Sequence, residues 1–483
     1  MLNFYNTLSN QKEKFQPLEE EKVKMYNCGP TVYDYAHIGN WSTFVFADTL
    51  RRYLEYKGYE VRQIMNITDV GHLTEDDLNQ ADSGEDKMLK ASKRERKTPE
   101  EIADFYTKEF YKDAKKLNLK KAHFYPKATD HIPHMIKLIE ELISKGLAYE
   151  KNGNVFFDVQ KFEGYGKLSG KKLDELKEGA RLEEHPDKAS PFDFALWLKA
   201  PKNHLMKWEG PWSVGYPGWH IECSAMSIEY LGETMDIHTG GEDHVFPHHE
   251  NEIAQSEGAT GKPFARFWLH RRFLLVKGHK MSKSKGKFYT LKDVLKEGFS
   301  PQAFRLLVLN SHYRSNLNFT WESMRQASAN LEKIQRFIER IENRESGRGE
   351  KSKDKLDTSS HLKKFESAMD DDLNTPEALA SLFEMITEVN KKIDSGRLSE
   401  KEKAEAKTAW NKINTVLGLK IDIKKQESVP AEIEKLLKER QEAKQSKDFQ
   451  KADEIRDKIN KMGYEIEDSP ESSKVRKTLN SKP

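Results

Sequence analysis

The chain has 483 residues, of which 33% are charged and 36% hydrophobic, a balance typical of a protein with a large solvated surface and room for three or four domains. No apolar run approaches the roughly 18 residues that span a bilayer, and residues 1–22 lack the compact apolar stretch of a secretory signal, so we expect a cytoplasmic protein with no membrane partner. The net charge of +2 neither favours nor excludes a nucleic-acid partner.

The first predicted elements form one βαβ unit. Residues 23–26 are a strand candidate, residues 38–57 carry apolar side chains at helical spacing before Gly58, and residues 61–67 are a run of apolar and β-branched side chains typical of a buried strand. Two strands joined by a crossover helix lie parallel in one sheet. The sequence therefore predicts an α/β fold with a doubly wound parallel sheet.

This sheet pattern is interrupted between residues 122 and 218. The interrupting stretch contains turn chemistry at Gly153-Asn154, short strand-like apolar runs and lysine-rich loops. The α/β pattern resumes at Trp219 and continues through residues 273–276. We therefore predict a sheet domain in two halves, residues 1–121 and 219–300, with a connective insertion at residues 122–218.

Beyond residue 300 the periodicity is helical. We predict a helical stem over residues 301–425, interrupted by a flexible loop or linker at residues 345–360, and a smaller domain over residues 426–483 that begins with a helix from Pro430. The stem helices are predicted at 301–310, 321–343 and 376–394, and the apolar stripe of the last domain is Phe449, Ala452, Ile455 and Ile459.

The motif His37-Ile38-Gly39-Asn40 stands where the first strand leads into the first long helix. A helix N-terminus presents unpaired backbone N–H groups and the positive end of the helix dipole, and a glycine lets a phosphate approach the backbone. Imidazole and amide N–H groups can donate further hydrogen bonds. The motif favours a phosphate site, although four such residues alone are also typical of an ordinary turn.

A second motif, Lys280-Met281-Ser282-Lys283-Ser284, lies in a glycine-flanked loop shortly after the strand candidate at residues 273–276. Lysines on a mobile loop can close over a triphosphate. They then stabilise the charge that spreads over the phosphates in the transition state more than they stabilise the ground state. A solvated loop is the usual explanation of a lysine–serine run, but the pairing with the upstream motif makes a nucleotide site the better prediction.

The only two cysteines suggest a metal site rather than a disulfide, which is unusual in the cytosol. Cys28 follows the first strand and Cys223 lies in Trp219-His220-Ile221-Glu222-Cys223-Ser224. The segment Phe246-Pro247-His248-His249-Glu250-Asn251-Glu252 is predicted to open a helix with Pro247 in its first turn. His248 and Glu252 share a face, but His249 and Glu252 also converge and Glu250 is adjacent, so the spacing leaves the choice open. The alternative is a pair of structural cysteines.

Together the two phosphate motifs resemble the signature motifs of class I aminoacyl-tRNA synthetases. The resemblance implies a Rossmann-like catalytic domain that uses ATP with Mg²⁺, in which His37, Gly39 and Asn40 bind ATP, and Lys280 and Lys283 stabilise the adenylation transition state. Asn40 stands where the commonest form of the motif has a second histidine. Its amide can donate a similar hydrogen bond.

The cysteine, histidine and glutamate pattern resembles that of cysteinyl-tRNA synthetases. Shape alone separates cysteine from serine by only about 1–3 kcal/mol, whereas zinc binds a thiolate much better than a hydroxyl. The resemblance therefore implies one zinc ion per chain that recognises the substrate thiolate. The zinc ligands that it selects are Cys28, Cys223, His248 and Glu252.

The same resemblance assigns the surrounding pocket and the last domains. The stem and the C-terminal region resemble a helical bundle and an anticodon-binding domain, which implies tRNA(Cys) as partner. Many relatives have a tryptophan where Val475 stands, and residues 70–73 depart from the more frequent acidic-lysine continuation. The implied pocket for L-cysteine consists of Gly29, Thr68, Trp219 and His238, with Asp243 placed to contact the adenosine or the substrate ammonium.

Two other functions remain open from sequence. One is a cysteine-activating ligase that passes the cysteinyl group to an amino sugar, and the other is a zinc-stabilised tRNA-binding or regulatory protein without catalysis. The helical stem with a further C-terminal domain favours a tRNA acceptor. The presence of His37, Lys280, Lys283 and all four proposed ligands favours an enzyme, which we expect to be monomeric.

Overall fold

The computed structural model describes residues 1–71, 87–172, 185–202, 204–281, 288–343, 356–421, 430–446, 448–468 and 473–477. The chain divides into two compact units. The first comprises Met1–Ile334, Leu356–Ile386 and Ala404–Lys420, and the second comprises Gln335–Lys355, Thr387–Lys403 and Ile421–Pro483. No helix within the described ranges is both long enough and apolar enough to cross a membrane.

The described residues form helices and strands in the following chain order. The helices are α1 Ile38–Tyr56, α2 Lys87–Glu95, α3 Pro99–Lys116, α4 Ile132–Ser144, α5 Trp219–Leu231, α6 Glu250–Thr260, α7 Leu291–Lys296, α8 Pro301–Leu309, α9 Trp321–Asn343, α10 Thr358–Asp370, α11 Thr375–Asp394, α12 Glu400–Leu417, α13 Ala431–Gln445 and α14 Phe449–Lys461. The strands are β1 Asn3–Asn6, β2 Gln11–Lys14, β3 Lys22–Asn27, β4 Glu60–Met65, β5 Ala148–Lys151, β6 Asn154–Phe157, β7 Phe194–Lys199, β8 Trp208–Glu209, β9 Val214–Pro217, β10 Met235–Gly241, β11 Ala265–Arg271, β12 Leu274–Val276, β13 His279–Lys280, β14 Leu317–Phe319, β15 Tyr464–Asp468 and β16 Ser473–Lys477.

The central sheet contains four parallel strands in the order β11-β10-β3-β4. The chain moves outward from β3 to β4 on one side and from β10 to β11 on the other. The connections therefore diverge between β3 and β10, and the carboxyl ends of these two strands border a crevice, as at the ligand sites of other open α/β sheets. The predicted α/β fold class with its parallel sheet and first βαβ unit is confirmed.

Buried side chains fix the register of this sheet. The amide of Asn27 on β3 donates to the hydroxyl of Thr239 on β10, and the amide of Gln63 on β4 donates to Asn27 Oδ1 at 2.6 Å. The row continues to α1, where Arg51 Nη1 donates to Gln63 Oε1 at 3.0 Å. Each member has a partner, so the row supports one register instead of leaving unpaired polar groups in the core.

Helix α1 covers one face of the sheet because its sequence has a start signal and an apolar stripe. His37 caps the helix, and the stripe predicted from spacing, including Phe44, Leu50 and Leu54, is buried. Burying each side chain of this size contributes about 1.5–3 kcal/mol. This packing holds the N-terminus of α1 beside the crevice.

Between the two halves of the sheet lies a five-stranded antiparallel sheet in the order β5-β6-β7-β9-β8. Its first hairpin turns at Asn152 and Gly153, both with positive φ, which is the conformation that asparagine and glycine tolerate best. The apolar faces of β6 and β7 form a core with α4. The predicted insertion boundaries at residues 122 and 218 stay predictions.

The stem helices lie close to their predicted positions, as α8, α9 and α11. The predicted loop at residues 345–360 was too long at its C-terminal end. Residues 344–355 lie outside the described part of the chain, but α10 already begins at Thr358, where the Asp357 carboxylate accepts the Ser360 N–H at 3.0 Å. Asp357 is thus an N-cap that the polar composition concealed.

The last part of the second unit, from Ile421 onward and called the C-terminal unit below, contains α13, α14 and the hairpin β15–β16. Its core includes Ile455, Ile459, Ile466 and Val475, and the last two face each other across the hairpin. Val475 is therefore a core residue here. The predicted stripe was wrong for Phe449, which is 63% exposed, because it is the first residue of α14 and precedes the turns that pack.

A buried ion cluster connects α1 with α8 in the first unit. Arg305 is fully buried, and its guanidinium donates to the Asp48 carboxylate and to the backbone oxygens of Leu117 and Leu417. Arg52 and the Lys120 N–H also bind Asp48. Burial opposes ionisation of Asp48, but Arg305 and Arg52 outweigh it and lower the pKa.

We predict that Arg305→Met destabilises this unit by about 3–5 kcal/mol, because it leaves a buried carboxylate without its main partner. Chemical denaturation followed through circular dichroism and tryptophan fluorescence would measure the loss. Arg325→Met, at an exposed pair with Glu322, is the matched control and should cost less than about 1 kcal/mol. Equal effects of the two substitutions would contradict the prediction.

Candidate metal and nucleotide site

The crevice begins at Cys28, immediately after β3. The Cys28 N–H donates to the Thr239 carbonyl at 3.2 Å, which continues the pairing of β3 with β10 beyond the strand. The Gly29 N–H donates to Asn66 Oδ1 at 2.7 Å. A Cβ on Gly29 would lie only 1.8 Å from the Asn66 backbone oxygen, so glycine is required for this close approach of the two chain segments.

The predicted metal ligands converge in this crevice. Cys28, Cys223, His248 and Glu252 are buried, and one donor atom from each lies within 4.8 Å of the others. Around a tetrahedral zinc ion the donor atoms are roughly 3.3–3.8 Å apart, given bonds of about 2.0–2.3 Å. A small contraction brings the four donors to that spacing, and their chemistry fits the ion.

A second group of four overlaps with the first. Cys28, His238, His249 and Glu252 also present donor atoms within 4.8 Å of one another. His249 Nε2 lies 3.2 Å from the Cys28 sulfur, and His238 Nε2 lies 2.7 Å from Glu252 Oε2. Both groups share Cys28 and Glu252, and the sequence had left His249 open as a ligand but did not indicate His238 as one.

The segment that carries these histidines leads into α6. Residues Val245–His249 form one wide helical turn in which only Phe246 has non-helical φ and ψ, and the regular helix α6 begins at Glu250. Pro247 therefore stands where the helical backbone starts, which agrees with its predicted place in the first turn. His248 faces Glu252, with Nε2 3.0 Å from Oε1.

Glu250 is removed from the candidate ligands by its hydrogen bonds. Its buried carboxylate accepts the backbone N–H groups of Gly166 at 2.9 Å, Leu168 at 3.2 Å and Ser169 at 2.8 Å. These three residues follow β6 in the insertion. A carboxylate engaged in this way holds the insertion against α6 and has no oxygen directed to the metal candidates.

The electrostatics of the site favour a bound cation. Burial opposes ionisation of Glu252, but the charges of His238 and His248 outweigh it and lower its pKa to about 2. Burial also opposes protonation of His248, and the Glu252 carboxylate outweighs it and raises the pKa to about 10. Burial raises the pKa of the Cys28 thiol. A metal ion replaces the protons of such a cluster when it binds.

The predicted cysteine-pocket residues lie at different depths. Trp219 is half-buried, with its ring centroid 4.6 Å from that of His248. Thr68 is buried and donates to Glu222 Oε2 at 2.9 Å. His238 is fully buried behind Glu252 and stacks on Trp268 at 4.6 Å, so it contacts the metal candidates and not the open side of the crevice.

Sequence reasoning missed several residues that surround the metal candidates. His220 Nδ1 lies 2.8 Å from His248 Nδ1, and His270 Nε2 lies 2.8 Å from His249 Nδ1. Glu222 is fully buried beside Thr68. His220 and Glu222 precede Cys223 in its motif and could have been suspected, whereas His270 carries no sequence signal because it lies on β11, far away in the sequence.

The first phosphate motif forms a reciprocal cap on α1. His37 Nδ1 accepts the Asn40 N–H at 3.1 Å, and Asn40 Oδ1 accepts the His37 N–H at 3.1 Å. A Cβ on Gly39 would come within 2.8 Å of the His37 ring and of the Met281 side chain. Because Nδ1 is the acceptor, a neutral His37 carries its proton on Nε2.

The residues on both sides of the loop with the second motif lie next to this same cap. Met281 precedes the loop and borders Gly39, and after it the Tyr289 carbonyl accepts the Ile38 N–H at 2.9 Å. Lys283 lies outside the described residues. Lys280 is exposed on β13, with Nζ 4.4 Å from the centre of the Phe273 ring.

Asp243 follows β10 at the same edge of the sheet. A Cβ on Gly241 would lie 2.4 Å from Asp243 Oδ1 and 3.8 Å from the Thr43 hydroxyl of α1. The glycine therefore allows the Asp243 carboxylate to fold back against the end of β10, next to the position where that strand end approaches Thr43.

The comparisons with known proteins agree along the whole chain. Residues 14–329 match the family described as tRNA synthetases class I (C) catalytic domain, residues 364–422 match the DALR domain, and residues 426–476 match the cysteinyl-tRNA ligase anticodon binding domain. The cysteine–tRNA ligase of Caldicellulosiruptor saccharolyticus is 46% identical over 98% of this chain and 99% of its own length. That of Clostridioides difficile is 44% identical over the same shares.

A solved structure of Mycobacterium tuberculosis methionyl-tRNA synthetase superposes with a TM-score of 0.57 at 14% identity, covering 82% of this chain and 89% of that one, a likeness of fold alone. The family matches follow one another in chain order, and the two ligases compared above extend over nearly the full length. The chain therefore belongs to the cysteine–tRNA ligase family, and the crevice described above lies in its class I catalytic domain.

Proposed function

We propose that this chain activates L-cysteine with ATP, releasing pyrophosphate, and then esterifies the cysteinyl group to the 3′ end of tRNA(Cys). The observation that carries the proposal is the convergence of Cys28, Cys223, His248 and Glu252 in the crevice that begins at the end of β3. From the same strand end the chain leads to the cap of α1, and both ends of the loop with the second motif adjoin that cap.

ATP binds at the N-terminus of α1 in this proposal. The Nε2–H of His37 and the amide N–H groups of Asn40 are donors suited to phosphate oxygens, and Gly39 lets a phosphate approach the backbone. Mg²⁺ accompanies the nucleotide. Lys280 and Lys283 neutralise the charge that develops as pyrophosphate leaves, and Asp243 contacts the adenosine or the substrate ammonium.

Zinc is held by Cys28, Cys223, His248 and Glu252 in this proposal. When bound, it supplies a soft ligand site that accepts the substrate thiolate and rejects the hydroxyl of serine. His238 holds Oε2 of Glu252 and thereby orients the ligand, as groups hydrogen-bonded to metal ligands generally do. Gly29, Thr68 and Trp219 border the amino acid.

The acceptor is tRNA(Cys), which the stem and the C-terminal unit bind, and the enzyme acts as a cytoplasmic monomer. An amino-sugar acceptor is not favoured, because the match to an anticodon-binding domain extends over residues 426–476. Arg476 and the neighbouring lysines supply phosphate contacts. Val475 belongs to the core of its unit, so we do not assign it a base-stacking role.

In the central test, purified, zinc-loaded enzyme is mixed with ATP, labelled cysteine and either tRNA(Cys) or an amino sugar. We expect cysteine-dependent exchange of pyrophosphate into ATP and labelled tRNA, with no labelled amino sugar. Pyrophosphate exchange without tRNA charging would reject the acceptor but keep the adenylation site. If no pyrophosphate exchange occurs, the chain does not activate cysteine and the whole proposal is rejected.

The ligand set can be decided by matched substitutions of adjacent residues. Loss of a residue that only supports a metal ligand lowers metal affinity by roughly 10–100-fold. Because Cys223→Ser and His248→Ala each remove a ligand itself, each should lower zinc affinity by more than that. They should also raise KM for cysteine steeply and weaken discrimination against serine, and metal removal from the unmodified enzyme should do the same. Metal titration and pyrophosphate exchange measure these effects.

The matched controls are His238→Gln and His249→Gln, which belong only to the second group of four. We expect them to retain zinc at full stoichiometry with an affinity lowered by no more than about 100-fold. If the controls lose zinc and Cys223→Ser keeps it, the metal is bound by the second group of four and not by the first. If metal-free enzyme still discriminates against serine as well as the zinc-loaded enzyme does, zinc does not recognise the substrate thiolate.

The two uses of Asn40 can also be separated. Asn40→Asp keeps the oxygen that accepts the His37 N–H and therefore keeps the cap, but it replaces the amide donor by a negative charge. We expect an unchanged melting temperature and pyrophosphate exchange slowed by about 10²–10³-fold, the usual effect of losing one donor to a developing charge. Asn40→Ala should lower both quantities. Normal exchange in Asn40→Asp would contradict the assignment.

A further inference from the structure

Glu250 is a fully buried carboxylate with no role in the proposed reaction. It is the first residue of α6 and lies two residues after His248 and two residues before Glu252. Both of its oxygens accept backbone N–H groups of residues 166–169, at 2.8–3.2 Å. A carboxylate is tolerated in a protein interior when such donors replace its water, and hydrogen bonds to a charged group are stronger than neutral ones.

The same stretch of the insertion contacts α6 at three further places. We call residues 165–171 the clasp. Its side chains reach both the turn before α6 and the helix itself, so the contacts lie on both sides of His248 and Glu252. The pairs are the Tyr165 hydroxyl with Asn251 Oδ1, the Lys167 ammonium with the Glu257 carboxylate, and Lys171 Nζ with the Phe246 ring, whose centre is 4.0 Å away.

The backbone of the clasp is shaped to hold a carboxylate. The Gly170 N–H donates to the Gly166 carbonyl at 2.8 Å, which closes the turn. Gly166 has a φ of +95°, and a Cβ there would lie 2.0 Å from the Lys171 backbone oxygen, so this position requires glycine. Successive N–H groups that converge in such a turn form a concave site for an anion, which Glu250 fills.

Leu168 connects the clasp with the metal candidates. It is 2% exposed and belongs to the same apolar cluster as Cys28, Cys223 and Ile253 of α6. The clasp therefore supplies part of the dry surroundings of both cysteines. Burial of Leu168 and the hydrogen bonds to Glu250 form together, because the Leu168 N–H is itself one of the three donors.

We propose that Glu250 is a positioning residue, which fixes the start of α6 through the clasp so that the insertion controls how long zinc stays bound. The proposal rests on the zinc ligands of the proposed function. His248 and Glu252 lie on either side of Glu250 in one short stretch of backbone. A metal ion held by both leaves only when this stretch moves, and the three hydrogen bonds of Glu250 oppose that movement.

The first test mixes the zinc-loaded full chain with an excess of a chromogenic chelator and follows the release of zinc by absorbance. Glu250→Gln keeps the size of the side chain but turns an NH₂ group toward N–H donors, so at least one hydrogen bond is lost. We expect zinc to be released about 10–100-fold faster, the usual effect of losing a group that supports metal ligands. An unchanged release rate would overturn the proposal.

A control separates positioning from general stability. Arg305→Met, which we predict above to destabilise the same unit, changes a residue outside the clasp and the metal candidates. Below its melting temperature it should release zinc at the rate of the unmodified chain. Equal acceleration in both variants would attribute the effect of Glu250→Gln to lost stability and would overturn the proposal.

The second test needs no substitution and therefore decides the question even if Glu250→Gln does not fold. If the clasp retains zinc, zinc stabilises the clasp by the same factor. In hydrogen exchange of the unmodified full chain, the amides of residues 166–169 should exchange about 10–100-fold faster after zinc is removed, whereas those of α8 should be unchanged. Equal protection with and without zinc would overturn the clasp but not the metal site. A chain that binds no zinc would overturn both.

Discussion

The pairing of β3 with β10 is the constraint on which the site depends. The two strands lie side by side where the connections of the sheet diverge, and the buried amide of Asn27 donates to Thr239 across them. The pairing continues through the Cys28 N–H to the Thr239 carbonyl. A shift of one residue would turn Cys28 to the other face and strand the polar row of Asn27 and Gln63 in the core, so the register is strongly specified.

From this edge the two halves of the proposed chemistry are built by different means. The nucleotide half is local, because His37 and Asn40 cap the helix with which they share a sequence. The metal half is assembled from distant segments, and Glu252 is its centre. His238 and His248 each contact one of its oxygens, while Glu250, two residues before it, holds the insertion. Two carboxylates only two residues apart on one helix thus have separate tasks.

The departures from expectation share a physical origin. A predicted stripe or helix start assumes ideal periodicity up to the first residue, but the ends of elements are decided by neighbours. Phe449 is exposed because it precedes the first packed turn of α14. The loop before α10 ends earlier than its polar composition suggested, because Asp357 caps that helix.

The sequence by itself determined the fold class, the two phosphate motifs and the set of residues from which a metal site could be drawn. These are properties of periodicity and of residue chemistry, and they survive without knowledge of long-range contacts. Only the tertiary structure excluded Glu250, placed His238 behind Glu252, and brought His270 to the cluster. Such facts depend on segments that meet through the pairing of β3, β10 and β11, and no local pattern records which side chains that pairing brings together.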